Sequence, residues 1–471
     1  MSKALIATVC AVLILGACTG SPDSPDSADG PQGRAAFTSA DCPDDVEIMV
    51  VPEHTCGYVT THIAGGDEIR LFVLQVEPPT PSTQSPIIET EGDLGTQAWY
   101  GGLAPIAQRT GRRLIVVDLQ GVGHSTPLLD CPEVNALAAT AAADPDQSRA
   151  AVVAAIGACR KRLTSRGIDL GAFDIASTAE NLHAVAQALD IPLSVTMGHG
   201  TTGAVAIEWA RRYPDEVEAL VLDSPQLREP SPGTVVDRLV TEVGELCATA
   251  ADCRRRYGDP AAQWPDVLRD LRHKPLVLSA DGQPVRLDDE ALRRAVLWLA
   301  GGGDLGASWI PALITESTSR QPGNILSRYA EALADGPPLC VGYLPRCAGV
   351  PAVAVGAVLS LNCPLVLDDP TWRQPCRAWG VTATTKPSDQ PLDTPTLVLM
   401  GRYDAFAPPD EVRASVAEQI PGAYFVEDPA GAHNVLGGYC LRSVRSAWLA
   451  GSITTQPPTP TCLRQRALVF K

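Results

Sequence analysis

Residues 193–214, LSVTMGHGTTGAVAIEWARRYP, set a short apolar strand, a glycine-rich turn and a helix in immediate succession. A strand-to-helix turn of this kind is where a nucleophilic side chain is lifted clear of a sheet for acyl transfer. The turn itself carries His199, Gly200, Thr201 and Thr202. A second chemical pattern lies in the thiols. Cys10 and Cys18 stand apart near the start, and the other cysteines form close pairs: Cys42 with Cys56, Cys131 with Cys159, Cys247 with Cys253, Cys340 with Cys347, Cys363 with Cys376 and Cys440 with Cys462. An even set of close pairs predicts nearest-neighbour disulfides and an oxidising compartment. Metal binding is the rival reading, but no C-x-x-C pair or His–Cys cluster occurs, so no metal and no cofactor is expected. Glu89, Glu91 and Asp93 bunch at the end of an apolar run, where carboxylates could meet a cationic substrate group such as a peptide amine.

The elements that must position these residues alternate. Val46–Val51, Gly57–His62 and Ile69–Val76 read as half-buried strands, and Ser85–Thr90 and Arg113–Asp118 as buried ones. Ser177-Thr178-Ala179-Glu180 reads as a capping box opening a helix with Leu182, Val185, Ala186 and Leu189 on one stripe. Leu193–Met197, helix Gly203–Arg212 and strand Ala219–Asp223 complete a βαβ rhythm, which predicts an α/β protein with a doubly wound, mostly parallel sheet. Residues 226–385 break the rhythm with helical stretches such as Val235–Leu246 and Asp289–Leu299, and read as a helical cap inserted into the core. Thr396–Met400, Ala423–Glu427 and a helix near Leu441–Leu449 then resume it. The core is thereby divided into 41–225 and 386–471, the latter ending in a Pro-rich segment tied back through Cys462.

The first residues carry an address. Lys3 precedes the 12-residue apolar run Ala4–Leu15, too short to span a bilayer, and Leu15-Gly16-Ala17-Cys18 resembles a bacterial lipobox. That resemblance implies a signal peptide over 1–17, cleavage before Cys18 and lipid on Cys18. Acyl chains contribute about 0.8 kcal/mol per buried methylene, so the expected partner is a membrane surface outside the cytoplasm. Residues 18–40, rich in Pro, Ser, Asp and Gly, read as a disordered tether. The chain of 471 residues is apolar enough, at 45% hydrophobic, to build a large core. A formal charge of −17 with dispersed arginines argues against nucleic acid.

With these residues in view, the chain resembles the extracellular tripeptidyl-aminopeptidase-like (TAP-like) α/β-hydrolases common in actinobacteria. Those carry G-x-S-Y-G, a helix and then E-Y-A-R-R-Y-P. Counting back from Glu208-Trp209-Ala210-Arg211-Arg212-Tyr213-Pro214 sets Gly200 at the serine position and Thr201 at the following one. Asp118–Pro127 resembles the family loop D-x-R-G-x-G-x-S, with Gln120 in place of Arg. Thr396–Pro409 resembles the strand and loop of the triad acid, which falls on Asp404. Gly431-Ala432-His433-Asn434 resembles the histidine loop, which makes His433 the base. Cys440 and Cys462 match the family's C-terminal cysteine pair, and the inserted helices its cap. The family's G-G-P-G-like oxyanion loop falls on Glu91-Gly92-Asp93-Leu94-Gly95, so Gly92, Asp93 and Thr201 occupy the oxyanion positions.

The resemblance implies a hydrolase, a peptidase or esterase; the site residues argue against the automatic transfer. A glycine offers no hydroxyl for His433 to deprotonate, and acidic groups beside an oxyanion would oppose its charge. Three readings result. The first is a lipid-anchored hydrolase-fold protein, degenerate as a serine hydrolase, whose pocket between cap and core binds a small ligand or peptide. The second is an active hydrolase in which the His433–Asp404 dyad activates water or a substitute nucleophile. The third is an envelope interaction protein recognising a protein partner. His199, beside the turn, is expected at the surface.

Overall fold

The computed structural model describes residues 35–46, 53–62, 68–91, 98, 100–137, 145–228, 232–280, 282–301, 306–335, 354–368, 370–382, 390–433, 438–451 and 453–470. The signal segment 1–17, Cys18, Gly92 and Asp93 lie outside them, as does the strand expected over Val46–Val51 apart from Val46. Cys340 and Cys347 lie outside them as well.

The described strands are β1 (Ala36–Ala40), β2 (His54–His62), β3 (Glu68–Val76), β4 (Ile87–Glu91), β5 (Leu114–Asp118), β6 (Ser194–His199), β7 (Val217–Asp223), β8 (Leu276–Ala280), β9 (Gln283–Leu287), β10 (Thr396–Gly401) and β11 (Tyr424–Asp428). All but β8 and β9 form one sheet in the order β1-β2-β3-β5-β4-β6-β7-β10-β11. The pairs from β5 through β11 are parallel, and β1, β2 and β3 add an antiparallel side. Helices α1 (Tyr100–Leu103) and α2 (Pro105–Thr110) link β4 to β5. Next come α3 (Pro132–Asn135), α4 (Pro145–Ser165) and α5 (Ile175–Ala188), then α6 (Thr202–Arg212) between β6 and β7. Between β7 and β10 lie α7 (Pro232–Thr249), α8 (Ala251–Tyr257), α9 (Pro260–His273), α10 (Asp289–Gly301), α11 (Ile310–Ser319), α12 (Asn324–Asp335), α13 (Val355–Val366) and α14 (Pro370–Trp379). Helix α15 (Pro409–Gln419) joins β10 to β11, and α16 (Tyr439–Ala450) and α17 (Thr461–Gln465) close the chain.

Central strands of a parallel sheet bury both faces and therefore read as unbroken apolar runs. β5 (LIVVD) and β10 (TLVLMG) are buried at every residue. Alternation along each strand divides their side chains between two cores. Val195, Met197, Val221 and Leu399 pack under α2 and α16, through Ile106, Leu441, Val444 and Trp448. Leu220, Leu222, Val398 and Met400 pack under α5 and α6, through Leu182, Val185, Val205 and Trp209. The sheet edge that carries the β6–α6 turn is thereby fixed from both sides.

Four expectations differ from the structure. Residues 36–40, expected within the tether, form a strand instead. Ala36–Ala40 (AFTSA) is paired antiparallel along β2, from Ala36 opposite Thr60 to Ala40 opposite Cys56, and this ladder satisfies backbone groups that its weakly apolar side chains do not advertise. The helix expected to be capped at Ser177 starts three residues earlier than that box allows. Asp174 is its N-cap and accepts from the Ser177 N–H at 2.8 Å, so Ser177 lies inside the first turn. The insertion is not wholly helical, because β8 and β9 form a hairpin within it. Nor is 226–385 one unit. Side chains from Val235 to Leu333 share one core with Tyr403, Ala405 and Phe406. Val355, Val358, Leu359, Trp372 and Trp379 instead join the main core with Leu129, Val134 and Ile156. Helix α13, VGAVLSLNCPLV, is apolar around its whole circumference and is buried along nearly its whole length by that larger core.

Disulfides connect Cys42–Cys56, Cys131–Cys159, Cys247–Cys253, Cys363–Cys376 and Cys440–Cys462, with Cα separations of 5.1–6.0 Å. The first fastens the chain just after β1 to β2, and the last anchors the terminal segment to α16. The sixth expected bond, between Cys340 and Cys347, is not among the disulfides of the described residues, because neither Cys340 nor Cys347 belongs to them.

Candidate active site

β6 ends at His199 and α6 begins at Thr202, leaving Gly200 and Thr201 to make the turn. Gly200 has φ +55°, a region that favours glycine. Its N–H donates to the Asp223 carbonyl at 3.1 Å, and its carbonyl accepts from the N–H of Gln226 at 2.9 Å and of Gly203 at 3.2 Å. The apex is thus pinned to the end of β7 and to the start of α6. At Gly198 a Cβ would lie 2.7 Å from the Thr202 carbonyl oxygen, so this close approach of strand and helix needs glycine there too.

The hydroxyls beside the apex are engaged elsewhere. Thr201 is fully buried, and its Oγ1 donates to Asn362 Oδ1 of α13 at 2.9 Å. Asn362 is held in turn by donating to the Val358 carbonyl at 2.9 Å. Thr202 Oγ1 accepts from the His199 N–H at 2.8 Å and lies 3.0 Å from the Thr90 carbonyl and 2.9 Å from that of His199. No motif singles out Asn362; its signal is a lone amide in an otherwise apolar helix.

Asp404 and His433 are brought together from the loops after β10 and β11. His433 Nδ1 lies 3.1 Å from Asp404 Oδ1 and 3.0 Å from Oδ2. Asp404 Oδ1 also accepts the N–H groups of Phe406 and Ala407, both at 2.8 Å. Burial pushes the Asp404 carboxyl up, but the His433 imidazole and the two backbone donors outweigh burial and hold it below the ordinary value. The carboxylate therefore stays charged and orients the ring. His433 Nε2 is buried and makes no hydrogen bond among the described residues. Phe406 meets the His433 ring edge-on at 5.2 Å. His199, expected at the surface, is half-buried, with its ring 4.9 Å from that of His433. Since His199 directly precedes Gly200, this contact sets the imidazole of the dyad beside the turn.

The 232–335 insertion grips this dyad through its backbone. Arg238 of α7 donates to the Asp404 carbonyl at 2.8 Å and to the Arg402 carbonyl at 3.2 Å. The His433 N–H reaches the Ala300 carbonyl at 3.4 Å. Neither Arg238 nor Ala300 belongs to a motif, and nothing in the sequence marks them.

Asp118 and Gln120 organise the neighbouring loop. Asp118 accepts from the Tyr100 hydroxyl at 2.6 Å and from the N–H groups of Ala98 and His124, both at 2.9 Å. Gln120 donates at 3.1 Å to both the Ala172 carbonyl and Thr178 Oγ1, and accepts from Asn181, so the amide is fully used.

Glu89 does not face a substrate cation or solvent. It is 3% exposed and sits opposite Val116 and Met197 in the sheet. Burial pushes its carboxyl up to about 8; Arg445 of α16 pulls it down and Asp223 pushes it further up. Burial likewise pulls the Arg445 guanidinium down to about 10, against the opposing charges of Glu89 and Asp223. All three side chains are buried. Of the oxyanion positions, only Thr201 is among the described residues.

Residues 91–246 match a family model described as alpha/beta hydrolase fold, and residues 366–458 match one described as TAP-like protein. No curated protein matches. Similar solved structures include a thermophilic esterase from Thermogutta terrifontis with malate bound, at 19% identity and TM-score 0.33, covering 80% of this chain and 91% of that one. They include a proline iminopeptidase from Mycobacterium smegmatis, at 16% identity and TM-score 0.39, covering 83% and 97%. A probable hydrolytic enzyme from Pseudomonas aeruginosa PAO1 is similar at 16% identity and TM-score 0.37, covering 82% and 89%.

Proposed function

We propose that the chain, which belongs to the TAP-like group of the α/β-hydrolase family, binds a small ligand or peptide between core and insertion without forming an acyl-enzyme. The observation that carries this is the apex of the β6–α6 turn: the residue is Gly200, and the neighbouring Thr201 and Thr202 hydroxyls are bonded to Asn362 and to backbone carbonyls. Acyl transfer needs an oxygen opposite the imidazole. Loss of the nucleophile from a serine protease costs about 10⁶ in kcat. On this reading the Asp404–His433 pair persists as a hydrogen-bonding anchor, and Cys18 carries the lipid that holds the protein outside the cytoplasm.

A second reading is favoured by His433 Nε2, which is buried and without a partner among the described residues while Nδ1 is fixed by the carboxylate. A base so oriented can take a proton from water, and the water attacks directly.

The two readings separate in one assay. Unmodified protein is incubated with a fluorophosphonate probe and with p-nitrophenyl esters and peptide anilides. The first reading expects neither label nor turnover above buffer. Turnover that disappears in His433→Ala without labelling establishes the second. Labelling at Thr201 or Thr202 overturns both. Replacing Cys18 by serine is expected to release the protein from the membrane fraction; retention of the variant there would refute the anchor.

A further inference from the structure

A cleft of about 390 Å³, lined by neither Asp404 nor His433, lies between α4, the turn Leu170–Phe173 and the helices α13 and α14. Its rim is charged by Arg160, Asp169 and Asp174, and its apolar wall includes Leu170, Pro364 and Trp379. Such a volume suits a small ligand. Trp379 is fixed there, donating through Nε1 to Ser360 Oγ at 2.9 Å.

The rim groups are built but not neutralised. The Arg160 guanidinium makes no ion pair among the described residues and lies flat on Gly380. A Cβ at Gly380 would fall 2.6 Å from Arg160 Nε and 2.9 Å from Nη2, so the missing side chain is what leaves the guanidinium its place. Gly380 also has φ +100°. Asp169 uses Oδ1 on the Gly171 N–H at 3.0 Å, and Asp174 uses Oδ1 on the Ser177 N–H at 2.8 Å. Neither carboxylate pairs with a cation among the described residues.

We propose that this cleft is a second ligand site, for a free α-amino acid with an apolar side chain. The ligand carboxylate meets Arg160, its ammonium meets Asp174 and Asp169, and its side chain lies on the apolar wall. A simple anion would meet two carboxylates, and a simple cation would leave Arg160 uncompensated; a zwitterion answers both. The site is separate from the dyad. Helix α13 stands between them, with Asn362 bonded at the turn and Ser360 and Pro364 lining the cleft.

The test is titration of the full chain with leucine, N-acetylleucine and leucinamide, read by calorimetry and by Trp379 fluorescence. Leucine is expected to bind saturably, and each blocked derivative about tenfold or more weakly, since each removes one charge-assisted contact. Arg160→Gln, which keeps the packing on Gly380, and Asp174→Asn, which keeps the N-cap acceptor, are expected to weaken leucine by a similar factor. Failure of the unmodified protein to bind leucine at millimolar concentration overturns the proposal. So does equal binding of the three compounds, or unchanged binding in Arg160→Gln. His433→Ala is expected to bind leucine as the unmodified protein does; loss in that variant would move the site to the dyad and overturn it.

Discussion

Restoring a hydroxyl at the turn is the sharpest probe of the acid–base pair. In Gly200→Ser the new residue must adopt φ +55°, which costs a non-glycine residue about 1–3 kcal/mol. Reduced freedom of the unfolded chain returns about 0.4–1 kcal/mol. The net loss is therefore about 1–2 kcal/mol, a fall of a few degrees in Tm for a chain of this size. Against that cost stands the gain in chemistry. A nucleophile is worth about 10⁶ in kcat where every other part is in place. If acidic residues after β4 deprive the oxyanion of one donor, about 10²–10³ of this is forfeited. Hydrolysis of p-nitrophenyl butyrate by Gly200→Ser should then exceed that of the unmodified protein by at least about 10³. Fluorophosphonate should label Ser at 200 and nothing else, and adding His433→Ala should abolish both effects. A folded Gly200→Ser variant that is neither labelled nor faster would show that His433 Nε2 does not face residue 200, and the reasoning would fall.

Other expectations concern stability. The Glu89 carboxyl is raised in the folded state to about 8 from an ordinary 4.5, so the folded protein binds the extra proton in between. Stability contributed by that proton is complete below about pH 4.5 and is lost as pH rises through about 8, by up to about 5 kcal/mol. Glu89→Gln should flatten this slope in urea melts across pH 5–8; an unchanged slope would assign it to another group. Arg445→Met removes the positive charge that pulls the Glu89 carboxyl down, so the loss of stability with rising pH should extend to higher pH in urea melts; an unchanged pH dependence would mean that Arg445 does not act on Glu89. The Cys131–Cys159 bond closes a separation of 28 residues; the double serine variant should lose about 3–4 kcal/mol, with no loss expected only if the unfolded chain is already constrained there.

Much of the scaffold was legible because its signals are local. Central strands announce themselves as apolar runs of five or six residues, and the β6–α6 turn by its glycines. The resemblance to the TAP-like hydrolases likewise singled out Asp404 and His433, which sit 29 residues apart and meet at 3.0 Å. What was not legible depends on partners distant in sequence. Helix α13 declares that it is buried but not against what, and only packing on Leu129 and Ile156 takes it out of the insertion. Glu89 is visibly a carboxylate, yet which face of β4 it occupies follows from register with Met197, and the positive charge that pulls its carboxyl down belongs to the distant Arg445. The β1 strand was hidden for a related reason: an edge strand held by a backbone ladder needs no strong side-chain pattern. At Ser177 the box residues were present, but Asp174, three residues earlier, supplies the cap oxygen from an extended backbone.

Arg238, Ala300 and the side chains flanking Asp404 together mean that the insertion is riveted to the very loops that present acid and base. A swing of that module as one rigid door would drag the carboxylate off the imidazole. Visitors to the pair must therefore slip in past its margins, and deleting the module to widen the doorway would dismantle the room behind it.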